Sequence, residues 1–298
     1  MTAGASRARS VARRALARPL WLRIEPEWAA DVVRLALPNA PGATAEYQLE
    51  AGPLYCLPPG ERPGAFARLD ALWVERLGLA GVLRDAAAPF AAELGRRPLC
   101  VLRPAALLEE GADLGRYDDA PAVRLALSPR RMLAPEAALA FCTHEVAHVA
   151  DMLDPSFGYD PHRPLPGTTR PERELARERF RMLWGASIDG RLRERGLPAL
   201  LSLDGWHALA RRAFPQGPPA GLIDALLRGR RPPHDELLAR CTCEHGPAPG
   251  QPCPLCRFPT HAWGTQAEVA AAAARIAIDF PRWAPPQGAC AQCLECYR

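Results

Sequence analysis

Residues 144–148 read His144-Glu145-Val146-Ala147-His148, and the spacing of the two histidines is the chemical point. Side chains four residues apart on a helix stand one turn above each other on the same face, so both imidazoles can converge on a single ion. Glu145 follows the first histidine and projects beside such an ion, where its carboxylate can take a proton from water. Residue types and spacing together suit a hydrolytic zinc site.

A second set of metal-binding residue types fills the last fifth of the chain: Cys241, Cys243, Cys253, Cys256, Cys290, Cys293 and Cys296. Close cysteine pairs of this kind are metal knuckles of a reducing compartment more often than structural disulfides, which makes a cytoplasmic location the expectation. Thiolates bind zinc in fours. One partition closes Cys241, Cys243, Cys253 and Cys256 around an ion and leaves Cys290, Cys293 and Cys296 to find a fourth ligand in His245 or His261. Another pairs the two CxxC knuckles, Cys253 with Cys256 and Cys290 with Cys293, on one zinc and leaves Cys241, Cys243 and Cys296 spare. The CxxCxxC triplet also matches part of an iron–sulfur ligand set, without its usual fourth Cys and following Pro. The expected cofactor is Zn2+, one catalytic ion and one or two structural ones.

Stepping outward, the HExxH residues need a helix. Pro135 suits a first helical position, Glu136 complements the helix dipole, and no breaker follows until Pro155. Short apolar runs at Leu99 to Leu102 and Ala122 to Leu127 predict strands ahead of it. After a loop rich in Pro, Gly and Asp, a second long helix is expected from Pro171 to about Arg195, closed by Gly196. Helical spacing also marks the region from Phe66 to Leu79. Shorter helices are expected from Gly205 to Ala213, Ala220 to Leu227 and His234 to Arg240. In the tail, Thr265 and Glu268 form a capping box that opens an Ala-rich helix. The expected fold class is α+β, mainly helical, with a small Cys-rich module at the C-terminus. The expected segments are a basic arm and mixed region over 1–52, a catalytic domain over 53–240 and the metal-binding module over 241–298.

With a strand ahead of it and uncharged flanks at Phe141, Cys142, Val149 and Ala150, the HExxH helix resembles that of the zincin superfamily of metallopeptidases over residues 122–195. The resemblance implies a zincin-like core, a peptide or protein substrate, His144 and His148 as ligands, Glu145 as general base and a third protein ligand. For that ligand it offers three positions. Asp189 stands on the second helix, from which the gluzincin branch supplies a carboxylate. Glu178, eleven residues earlier on the same face, is the literal Glu of that branch. Asp154 stands six residues after His148, where metzincins place theirs, although Asp151 replaces the Gly of their turn. Tyr159, His162, Arg191 and His207 are candidates for stabilising an oxyanion.

Composition bounds the alternatives. With 48% hydrophobic and 23% charged residues the 298-residue chain has the balance of a globular protein, not a disordered or fibrous one. All 37 basic residues are Arg, the formal net charge is only +4, and acidic residues interleave with them, so no nucleic-acid footprint is indicated. No stretch approaches the roughly 18 apolar residues of a spanning helix. The competing expectation is a zinc-ribbon binding or scaffold protein with an inactive zincin-like core, its C-terminal module docking a protein partner.

Overall fold

The computed structural model describes residues 22–104, 110–167, 169–214, 218–219, 221–241 and 250–297. The basic arm of the N-terminus, Cys243 and His245 lie outside these residues. Among the described residues the chain is α+β and mainly helical, with one four-stranded mixed sheet. It divides into two compact units, residues 22–155 with 196–200, and 156–195 with 201–297. Among the described residues no helix is long and apolar enough to cross a membrane.

The first unit holds the sheet. Strands β1 (Leu22–Ile24), β2 (Leu99–Leu102), β3 (Gly111–Tyr117) and β4 (Ala120–Ala126) lie in the order β1-β2-β4-β3. The β1–β2 and β2–β4 pairs are parallel, and β3 runs antiparallel to β4 as an edge strand. Asp118 and Asp119 join β3 to β4 with φ of 46° and 60°. Such a two-residue hairpin turn needs left-handed backbone, which Asp tolerates better than most residues with a side chain.

Helices α1 (Pro26–Ala36), α2 (Pro41–Ala51), α3 (Arg62–Arg76), α4 (Leu79–Ala87) and α5 (Ala91–Leu94) separate β1 from β2. α1 begins on a Pro at its first position, whose missing N–H costs nothing there. It buries Trp28, Ala29, Val32 and Val33, and the Trp28 indole donates to Leu127 O at 2.7 Å, fixing it to the exit of β4. Helix α6 (Pro135–Leu153) starts on Pro135 and ends where Asp154 turns extended before Pro155. It packs against α4 on one side and β3 on another. Its buried residues, from Ala138 to Asp151, occur all round the helix. That placement explains why apolar Phe141, Cys142, Val146 and Val149 flank the face that carries His144 and His148.

The second unit is helical. Helix α7 (Arg170–Glu194) opens on a capping box: Thr169 Oγ1 accepts from Glu172 N at 3.3 Å and Glu172 Oε2 accepts from Thr169 N at 3.0 Å. Helices α8 (Leu203–Ala213), α9 (Leu222–Leu227) and α10 (His234–Arg240) pack against it. At Gly190 the approach of α9 is so close that a Cβ would sit 2.0 Å from Leu226 O, so only glycine fits. Helices α11 (Gln266–Asp279) and α12 (Ala291–Glu295) belong to the Cys-rich tail. α11 opens on the expected Thr265–Glu268 box. Leu255, Val269, Ala272, Ile276, Trp283 and Leu294 form the tail's small apolar core.

Candidate metal centres

On α6 the predicted pair of histidines lies one turn apart. The rings of His144 and His148 stand 4.9 Å apart between centroids at 76° to each other. One ligand atom from each of His144, Glu145 and His148 lies within 4.8 Å of the others. His144 is buried, while Glu145 and His148 are partly exposed. The helix therefore presents two neutral-capable imidazoles and a carboxylate on a wall that solvent still reaches, a donor set that fits a borderline-soft divalent ion such as zinc.

Glu145 is held from outside its own helix. Its Oε2 accepts the backbone N–H of Ala112 at 3.0 Å, from the edge strand β3. Burial pushes the Glu145 carboxyl upward, opposed by the charge of His144, by the Ala112 N–H and by Arg131. Gly111 makes room for this contact, since a Cβ there would stand 3.3 Å from Glu145 Oε2. Ahead of the strand, Glu110 Oε1 accepts from Ser128 N at 2.8 Å and from Arg131 Nε at 3.0 Å. Nothing in the sequence spacing points to Glu110, Ala112 or Arg131, because they reach the site through strand pairing and not through a local repeat.

The three expected third-ligand positions lie as follows. Asp154 is the cap residue after α6 and is not a member of the His144–Glu145–His148 group. Asp189 is fully buried on α7, and its Oδ2 accepts from Leu201 N at 2.9 Å and the Trp206 indole at 2.7 Å. Glu178 is exposed on the first half of α7. Of the oxyanion candidates, Tyr159 lies tilted against Trp184 and edge-on to His234, His207 faces Asp224 at 3.4 Å, Arg191 donates to Ser187 O, and His162 is exposed.

The tail gathers four of its cysteines. Ligand atoms of Cys253, Cys256, Cys290 and Cys293 lie within 4.8 Å of one another, with Sγ–Sγ distances of 3.9 Å for Cys253–Cys293 and for Cys256–Cys290. Four thiolates about 2.3 Å from one tetrahedral ion stand about 3.8 Å apart, so the cluster has the dimensions of a single-ion site. Two loops build it. In the first, Cys253 N donates to Phe258 O and Arg257 N to Cys253 O, both at 2.8 Å. In the second, Cys290 caps α12, its Sγ accepting from Cys293 N at 3.4 Å. Amides also point at Cys253: burial pushes its thiol up, but the N–H groups of Cys256, Cys290 and Leu255 outweigh it and bring the thiol down to about 7. Cys290 and Cys293 are held upward, first by burial.

The other partition includes Cys243, which lies outside the described residues. Cys241 is buried at the end of α10 with its thiol turned back to Leu237 O at 3.1 Å, because the helix end offers that free carbonyl. Cys296 is exposed beyond the cluster, its thiol against Gln292 O. The grouping of the two CxxC knuckles is the one observed. His261 is not a member of it. No family model, curated protein or solved structure matches this chain.

Proposed function

We propose that the chain is a zinc-dependent metallopeptidase with a zincin-like core and a separate structural zinc in its C-terminal module. The convergence of His144, Glu145 and His148 on one face of α6 carries this reading. His144, His148 and a third protein ligand would hold the zinc, which would supply Lewis acidity toward a carbonyl and toward water. Glu145 then acts as the proton carrier, taking a proton from the attacking water and returning it to the departing amine. Its partly exposed carboxylate, anchored by one oxygen to Ala112, keeps the other oxygen for that transfer. Zinc content of the Asp189→Ala, Glu178→Ala and Asp154→Ala variants identifies the third ligand.

The test is hydrolysis of fluorescein-labelled casein by Glu145→Gln beside wild type. Loss of cleavage with the zinc content of wild type is the expected result; undiminished cleavage removes Glu145 from its role. The scaffold reading is favoured by a different observation, that the four-cysteine set is complete within the tail itself. It expects His144→Ala to lose no metal.

A further inference from the structure

Building on the peptidase reading, we propose that the Glu110–Arg131 ion pair is a positioning element for Glu145, locking the edge strand to the helix that carries the base and keeping the Arg131 cation away from it. The Glu110 carboxylate binds three donors: Ser128 N at 2.8 Å, Arg131 Nε at 3.0 Å and Arg131 Nη2 at 2.5 Å. The Glu110 side chain is 12% exposed and that of Arg131 31%. A face of the guanidinium lies over Phe141, with Cζ 4.0 Å from the ring centroid. Phe141 is one turn ahead of Glu145 on α6, and Glu110 is two residues ahead of Ala112.

One ion pair thus joins three pieces of chain: the entry of β3, the exit of β4 and the HExxH helix. Their relative placement sets the contact between Ala112 N and Glu145 Oε2. Electrostatics adds a second task. Arg131 lies over Phe141, one turn ahead of Glu145 on α6, and an unpaired cation there would attract the carboxylate. Glu110 satisfies the guanidinium first. With Glu110 neutral, the half-buried cation loses its carboxylate partner, and the Glu145 carboxyl stands one helical turn beyond the Phe141 ring it covers. An Arg131–Glu145 pair would draw Glu145 off Ala112.

Residue-resolved hydrogen exchange together with steady-state kinetics on fluorescein-labelled casein tests this. In Glu110→Gln the Ala112 amide is expected to exchange at least about tenfold faster, while Val123 in β4, which donates to Pro98 O, keeps its protection. The kcat should fall about 10- to 100-fold with KM and His-held zinc unchanged, the range seen when outer partners of a metal site are removed. Glu110→Gln combined with Arg131→Met, which takes away the stray cation, should recover most of the lost kcat. Wild-type protection of Ala112 in Glu110→Gln, or faster exchange at Val123 to the same degree, overturns the proposal. Wild-type protein that binds zinc through His144 yet cleaves nothing defeats the peptidase reading; the Ala112 amide still decides the positioning claim.

Discussion

Glu145 is in contact with backbone that its own sequence neighbourhood does not contain, and its environment can be probed one atom at a time. Gly111→Val would bring side-chain carbon against Glu145 Oε2, at a position where even a Cβ stands 3.3 Å away. The expected outcome is a kcat on labelled casein lowered about tenfold or more with His-held zinc retained, since small misplacements of a catalytic group are costly; equal kcat in Gly111→Val would mean the contact is idle. Cys241→Ser, by contrast, should leave the metal content of the protein unchanged, because that thiol is turned to Leu237 O. The HExxH pair was legible in the sequence because helical spacing is local. The choice between cysteine partitions was not, since Cys253 and Cys290 meet across 37 residues and only the folded tail brings their loops together.

Among the elements, the long helices were legible for physical reasons that act within a few residues. Pro135 and Pro155 bracket α6, and Gly196 follows α7. The edge strand β3 was not anticipated: Gly-Ala-Asp-Leu-Gly-Arg-Tyr has two glycines and no β-branched residue, and its Asp118-Asp119 turn lacks the Asn-Gly signature. Pairing with β4 overrides that weak propensity. The Thr169 cap of α7 carries a Thr-x-x-Glu pattern that is local. Thr169→Ala should cost about 1 kcal/mol in chemical unfolding of the second unit; no change in midpoint would show that tertiary packing alone holds this helix end. In the tail, the apolar core is small, so metal binding should supply much of the folding free energy. Chelation is expected to expose the amides of α11 to exchange while those of α6 in its buried core stay protected.

For the whole molecule, stability should fall on mild acidification, and His234 is one identified cause. Its imidazole is buried among Phe157, Tyr159 and Phe180, and burial lowers its pKa from 6.5, opposed by Asp235 and Asp160. The unfolded chain therefore binds a proton below about pH 6.5 that the folded chain resists, so the loss begins there and grows until the folded pKa is reached. His234→Phe should flatten the stability profile below about pH 6.5; an unchanged slope would assign it to other groups. The proposed function expects two metal ions held by different residues. Elemental analysis of wild type beside His144→Ala and Cys253→Ser tests it most directly. Two zinc ions per chain are predicted for wild type and one for each variant, the survivor in His144→Ala being removed when Cys253→Ser is added. A full metal complement in His144→Ala would contradict a zinc site on α6 and with it the peptidase.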